Sequence, residues 1–494
     1  MNPSASWDKT FDVVVIGYGG AGAAAAIAAH DAGAEVLILE STSRGGGNTL
    51  VSFGGFASPG ETDKAVSYIS ALYEYSHSEK DDGLIRAFVE ESSKTIAWLK
   101  NLQEGVEVLT YGGASYPDIP GAEAIKRYVI KGPHKGATAF AQNLWLLLSG
   151  AVEARGIPVL TQAPAERLLT GPDGAVTGIM ASIRDKKLLI RARDGVVLTT
   201  GGYGSDAEML RNHAKGSPLY TLGHQGNRGD GVRLAQKVGA GLWHMNGVSC
   251  AFGIKVPQFE SALLIAIGAA GQILVDRSGK RFVNEGAIER HAGLLSVDFF
   301  DSQSLTYPRI PSYLLFDEAT RKRGPVSRTA GLGYAGVQHT WSKDNSVEIM
   351  NGWIIRDETL SGLAGKIGVD AKTLQHTVEL WNRSVRAGRD SLYDRELPHA
   401  PLTALIETGP FHALEIYPCL LNTQGGPKRN EKAEVTDPFG EPIPGLYSAG
   451  ELGSMWGLIY QGGGNIAEAL AFGRIAGAGA ALRHATGGFR RSFR

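Results

Sequence analysis

Cysteine is nearly absent. Cys250 and Cys419 are the two thiols in 494 residues. They lie far apart and form no C-x-x-C pattern, so no disulfide framework or zinc site can be read, and no metal is expected. Net charge is equally sparse: 49 Lys and Arg against 50 Asp and Glu leave −1. That balance gives no electrostatic case for nucleic acid or for an anionic membrane surface. Long hydrophobic runs are missing too, since none reaches the roughly 20 residues of a membrane span. Ala262 to Val275 comes nearest, but Gly268, Gly271 and Gln272 interrupt it, and it reads as a buried segment. Met1 to Lys9 is polar and leads straight into a first strand, with no signal-peptide pattern. The expected location is cytoplasmic.

Glycine, by contrast, is abundant, with 66 residues. Close approach of backbone to a large cofactor is one reason for such a count. A hydrophobic content of 43% with 20% charged residues is that of a soluble globular protein. The length predicts two or three domains.

The densest information lies at Asp12 to Ala29. A β-branched run ends in Gly17, and Gly19 and Gly22 complete G-x-G-x-x-G where an alanine-rich helix opens. Gly17 permits a tight turn, Gly19 lets backbone approach a pyrophosphate, and Gly22 lets helix lie close to strand. The helix N-terminus offers N–H groups and partial positive charge to phosphates. A second apolar strand, Glu35 to Leu39, ends in Glu40, about 20 positions on, where a carboxylate accepts a ribose hydroxyl. Strand, turn, helix, strand and acid in that order predict a dinucleotide site.

Further along, Arg44 to Thr49 and Ser52 to Gly55 form a glycine-rich loop suited to wrapping the same cofactor. Glu61 to Leu102 predicts two helices, and Val106 to Leu109 an extended stretch before the turn-rich loop from Tyr111 to Gly121. Phe140 to Ala154 predicts a helix, Pro158 to Thr161 a strand, and Ala165 to Ala192 a β-meander turning at Gly171 to Gly174. Val196 to Gly202 reads as a buried strand of the dinucleotide sheet, and Gly229-Asp230-Gly231 as the opening of a helix. From Val256 to about Ala400 aromatics increase and glycines thin out, predicting an inserted substrate domain. Gly445 to Glu451 and Gly462 to Asn465 return to the cofactor domain, the latter capping a helix from Ile466 to Leu482. The tail from Gly487 to Arg494 reads as disordered. The expected fold is therefore α/β: a Rossmann-like dinucleotide-binding domain over 1–255 and 402–494, with an α+β substrate domain at 256–401.

These blocks together resemble the flavoprotein superfamily of fumarate reductases and 3-ketosteroid Δ1-dehydrogenases, with the glutathione reductase type of cofactor domain. The likeness runs through Gly17 to Gly22 with Glu40, Gly46 to Thr49, Thr200-Gly201-Gly202, Gly229-Asp230-Gly231, Arg281-Phe282-Val283-Asn284-Glu285, Gly445 to Glu451 and Gly464-Asn465. The resemblance implies FAD held by Gly17, Gly19, Gly20, Ala21, Gly22 and Glu40, by Gly47, Asn48, Thr49 and Gly55, by Gly201 and Asp230, and by Gly450, Glu451, Asn465 and Ile466. Glu451 would bind the ribityl chain, and the helix after Asn465 would face the flavin pyrimidine. The histidine that carries covalent flavin in some members would fall near Gly47 to Thr49, where this chain has none, so FAD is expected to be non-covalent.

Fumarate reductases of this kind carry histidine before Thr-x-Gly-Gly and an Asn-Arg-Leu-Gly-Gly-Asn block. Here the corresponding stretches are Leu421 to Gly426 and Tyr460-Gln461-Gly462-Gly463-Gly464-Asn465. The missing cations argue against a dicarboxylate, which needs strong donors to offset its desolvation. Tyr460 to Gly464 instead fits the Tyr-x-Gly-x-Gly block of the ketosteroid dehydrogenases. By that resemblance the Tyr460 hydroxyl and Gly464 N–H hold a ketone oxygen, the logic of an oxyanion hole. Tyr116 is similar to a second family tyrosine. The family's proton-abstracting tyrosine falls on Glu289, which is either the base or a surface residue paired with Arg290. The expected function is desaturation of a cyclic ketone, steroid or smaller, by an enzyme whose electron acceptor the sequence does not identify. The alternatives are a carboxylate reductase clamping its substrate with Arg127, Arg290 and Arg429, and a flavin subunit that only relays electrons.

Overall fold

The computed structural model describes residues 6–136, 139–184, 186–327 and 339–487. The chain forms two compact units: Lys215–Leu222 with Ser249–Leu421, and the remainder.

The larger unit is built on an eight-stranded sheet. Its centre is β1 (Lys9–Ile16), flanked in parallel by β2 (Val36–Leu39) and by the strand Lys186–Leu198. Val159–Leu160 and Pro442–Ser448 extend the parallel part on either side. Val13, Val14, Val15 and Ile16 are all buried, as expected of a strand covered on both faces. The helix α1 (Gly20–Asp31) follows, and its run Ala23 to Ala29 has almost no polar side. Such a helix must be enclosed. It packs against the C-terminal helix Gly464–Gly487, where a Cβ on Gly473 would stand 2.7 Å from the Ala21 oxygen and one on Gly477 2.0 Å from the Ala25 oxygen. Both contacts advance by four residues in the same sense, so the two helices run parallel, with the start of α1 beside the third turn of its partner.

Three local expectations are amended. The segment Glu61 to Leu102 folds as three helices, Thr62–Ser76, Asp82–Ser93 and Thr95–Leu102. The hydroxyls of Ser92 and Ser93 bond back to Val89 and Glu90 carbonyls, competing with the helix ladder just before the break. The meander and the following buried strand share one continuous element, Lys186–Leu198, which pairs with Val176–Ile183 over its first half and with β1. The final helix opens at Gly464, two residues earlier than its apolar pattern suggests. Residues 488–494, most of the tail read as disordered, lie outside the described residues.

The second unit holds a seven-stranded sheet in which Phe411–Thr423 pairs with Ser312–Asp317, Ile354–Asp357 and Tyr220–Thr221. The helices Leu360–Ile367 and Ala371–Arg386 bury Leu363, Leu374 and Trp381 with Ile273 and Leu315 of that sheet. Ala262 to Val275 is largely buried but divides into the strands Leu263–Leu264 and Gln272–Val275, parted by turns at Gly268 and Gly271. Beside it lies a buried charge network. Arg281 meets Glu285 at 2.8 Å and Asp390 at 3.0 Å, and Arg395 meets Glu285 at 3.2 Å. Four ionised groups tolerate burial here because each carboxylate faces a guanidinium and the Arg395 N–H groups also reach main-chain carbonyls. Among the described residues no helix is long and apolar enough to cross a membrane.

Candidate functional site

The glycine-rich turn has the geometry that its spacing predicts. Gly17 has φ +104, and a Cβ there would stand 2.4 Å from the Thr199 oxygen. A Cβ on Gly22 would stand 2.0 Å from the Gly17 oxygen, so only glycine lets α1 start this close to the strand. Gly19 is the N-cap and contributes no side-chain cap, leaving this helix end to other partners. Gly20 N–H donates to Thr49 Oγ1 at 3.0 Å, and Gly46 N–H to the Tyr18 carbonyl at 2.7 Å, binding the second glycine loop to the first. Glu40 is buried at the end of β2; its carboxylate accepts the Tyr18 N–H at 2.9 Å and the Thr42 N–H and hydroxyl at 2.8 Å each.

A second polar cluster surrounds Glu451. Asn48 Nδ2 donates to its carboxylate at 2.6 Å, Thr423 N–H at 3.2 Å and Asn227 Nδ2 at 3.3 Å. A Cβ on Gly202 would stand 2.5 Å from that carboxylate, and one on Gly201 2.4 Å from Asn227 Oδ1. Burial pushes the Glu451 carboxyl up to about 7, against these hydrogen bonds, which lower it. Asn48 Oδ1 accepts the His224 N–H at 2.7 Å. Gly450 has φ +79 and abuts Ala21. Gly55 faces the Tyr111 hydroxyl. Asp230 is exposed in the first turn of the helix Asp230–Lys237, whereas its neighbours Gly229 and Gly231 are packing positions against Met209 and Thr200.

At the start of the C-terminal helix, both amide atoms of Asn465 are buried without a hydrogen-bond partner, and Ile466 is half-buried beside it. A buried amide that meets nothing in the protein is costly, and it points to a ligand. With the glycine cradle at the α1 N-terminus and Glu40, these residues fit a dinucleotide carrying a polar ring.

The Tyr-x-Gly-x-Gly turn lies next to that amide. Tyr460 is buried; its hydroxyl oxygen accepts the Asn465 N–H at 3.1 Å. Gly464 N–H donates to the Gln461 carbonyl at 2.8 Å, closing the turn. A Cβ on Gly464 would stand 2.4 Å from the Trp456 ring, so glycine is required there by the indole. Tyr116 is brought to the same turn. Ser115 N–H donates to Gln461 Oε1 at 2.9 Å, Gly462 N–H donates to Ser115 Oγ at 2.9 Å, and Tyr116 N–H donates to the Tyr68 hydroxyl at 3.3 Å. Sequence reasoning missed Gln461, Ser115, Tyr68, Asn227 and Thr423. A signal existed for Tyr68, which shares the apolar face of Ala65, Ile69 and Leu72.

Glu289 belongs to the second unit. Its side chain is 12% exposed and accepts the His291 N–H at 2.6 Å, with His291 Nδ1 at 3.0 Å from its other oxygen. Cys250 N–H donates to the His291 carbonyl and fixes the loop to a strand. Arg290 is exposed. Arg127 is half-buried over the Tyr111 ring. Arg429 is wholly buried against Glu468 and donates to the Leu452 carbonyl, which removes it from the candidate carboxylate clamps.

Fold and site define a flavin-dependent oxidoreductase. Residues 12–466 match the family described as FAD binding domain, and the chain belongs to that family. FAD is its cofactor. It is 30% identical to the NADH:fumarate oxidoreductase of Klebsiella pneumoniae over 96% of this chain, but spans only 48% of that protein. It is 28% identical to the 4-oxocyclohexanecarboxylate 2-dehydrogenase of Sinomonas cyclohexanicum, over 95% of this chain and 92% of that one. The fold matches the crystal structure of 3-ketosteroid delta1-dehydrogenase from Sterolibacterium denitrificans with a TM-score of 0.83, covering 96% of this chain and 100% of that one at 23% identity.

Proposed function

We propose that the chain desaturates a cyclic ketone of cyclohexanone size, forming a C=C bond α,β to the carbonyl. The reading rests above all on Tyr460. Its phenol oxygen accepts a backbone N–H at the N-terminus of a 24-residue helix, so the positive helix end acts on the hydroxyl and strengthens it as a donor. Tyr460 holds the ketone oxygen, and Gly464 N–H becomes the second donor when it is shared with, or released from, the Gln461 carbonyl. Charge that develops on the oxygen as the α-proton leaves is stabilised there. The α-proton passes to Tyr116, the candidate base in the same unit as Tyr460. The two-electron oxidation, loss of hydride from the β-carbon, is the chemistry that bound FAD supplies. The 28% identity to an oxocyclohexanecarboxylate dehydrogenase, against 23% to the ketosteroid dehydrogenase, favours a small ring over a steroid.

A carboxylate-reducing reading has its own support in the 30% identity to a fumarate oxidoreductase. Against it stands the burial of Arg429, which leaves only Arg127 and Arg290 of the three suggested clamps. Turnover of 4-oxocyclohexanecarboxylate, a 3-ketosteroid and fumarate, with dye acceptors and donors, separates the two. In Tyr460→Phe we expect ketone turnover to fall by roughly 10²-fold or more with the flavin spectrum retained. Full turnover in that variant would refute the assignment.

A further inference from the structure

Gln461 stands between the two tyrosines without being either of them. It is 1% exposed, and its side-chain oxygen receives both the Tyr68 hydroxyl at 2.6 Å and the Ser115 N–H at 2.9 Å. Its Nε2 donates to the Gly462 carbonyl at 2.8 Å. This last bond sets the orientation of the amide, because a flipped carboxamide would turn its NH₂ against the Ser115 N–H. Ser115 Oγ completes the loop of bonds by accepting the Gly462 N–H at 2.9 Å. Tyr68, fully buried on the helix Thr62–Ser76, then accepts the Tyr116 N–H at 3.3 Å. A continuous path of hydrogen bonds thus runs from the Tyr116 backbone through Tyr68 to the residue next to Tyr460.

We propose that Gln461 is a positioning residue: its carboxamide fixes the Ser115–Tyr116 loop against the Tyr460 turn, so that both tyrosines are presented to one substrate in a single register. The proposal deepens the ketone reading and rests on it. The segment 114–121, which follows the strand Glu107–Gly113, holds two prolines and forms no strand or helix, so its position is set by what it is tied to. Both lone pairs of one oxygen serve two separate elements, the helix and the loop. No aliphatic side chain of the same length can do that, and a carboxylate can.

The test uses the flavin-loaded full chain with Q461M, which keeps length and loses the bonds, and Q461E, which keeps both acceptor positions. In Q461M we expect the flavin spectrum to stay unchanged, turnover at saturating substrate to drop by roughly 10-fold to 10²-fold, and KM to change less. Amide hydrogen exchange at Ser115 and Tyr116 should be faster. In Q461E, exchange at those amides and part of the turnover should return at pH values low enough to keep the buried carboxyl protonated, the form that can still donate to the Gly462 carbonyl. Wild-type turnover together with wild-type exchange in Q461M would overturn the proposal, as would faster exchange with undiminished turnover. Should Q461M fail to fold, Y68F and S115A each remove one bond, and each is expected to slow turnover by about 3-fold to 10-fold. Undiminished turnover in both would be equally fatal. A wild type with no turnover of any cyclic ketone refutes the ketone reading by itself, and the exchange measurement then still decides whether Gln461 holds the loop.

Discussion

Single residues in this chain owe their roles to what burial leaves them to meet. Asn465 and Glu451 are marked in the sequence by the family resemblance, each closing one of its glycine-rich blocks. Gln461 cannot, since its partners Tyr68 and Ser115 lie 393 and 346 positions away and no local pattern joins them. Arg429 shows the opposite failure. A lone arginine near a glycine block suggests a substrate clamp, and only three-dimensional packing reveals the glutamate that occupies it. His412 carries a measurable consequence. Its side chain has no exposed surface, it stacks on Phe316 at 5.3 Å, and neither ring nitrogen has a hydrogen-bond partner. Burial lowers its pKa from 6.5 to about 4, although Glu318 nearby pulls the other way. The folded chain therefore stays unprotonated where the unfolded chain takes up a proton. Stability is lost as pH falls from about 6.5, levelling off below about 4, by up to about 3 kcal/mol. In His412→Phe this component should vanish, so the gap in unfolding free energy between variant and wild type should change steadily between pH 7 and pH 4. A gap that stays constant would show that His412 does not titrate in this way.

Elements are legible where their period is clear and blurred where two signals overlap. The β1–α1–β2 unit emerges from β-branched residues, glycine spacing and a terminal acid, all within 40 residues. Three helices read as two because the apolar spacing runs on through Ser92 and Ser93, and only their hydroxyl-to-carbonyl bonds reveal the break. The C-terminal helix is recognisable, but not its neighbour, because nothing in a run of alanines and glycines names the surface it will touch. That surface is specific. A side chain at position 477 has no space to relax into, since the atom it would meet is backbone. Gly477→Val should lower stability by roughly 3 kcal/mol, seen as a reduced thermal midpoint. The same substitution at Gly239, where nothing lies within 4 Å of the added carbon, meets no such clash; its positive φ gives that control a strain cost of its own. A drop at 477 no greater than at 239 would disprove the packing argument.

For the whole molecule, cofactor class and fold are readable because several short blocks occur in order along nearly the whole chain. Substrate class is less readable, because it depends on a handful of side chains brought together from distant segments. The lack of histidine around Gly47 to Thr49 leads to one direct check. Acid precipitation of the yellow protein should leave the FAD in the supernatant, and refolded apoprotein should regain thermal stability when FAD is added. Flavin fluorescence that remained with the denatured chain would reveal a covalent bond.

The parallel pairing of α1 with the C-terminal helix has an electrostatic corollary. Each helix start carries about half an elementary positive charge, and the seam of glycine and alanine sets the start of α1 beside Gly473, nine residues along its partner helix. A phosphate drawn to the α1 start is therefore held by a helix whose own position is fixed, two turns and more from its partner's end, by main-chain contact at Gly473 and Gly477.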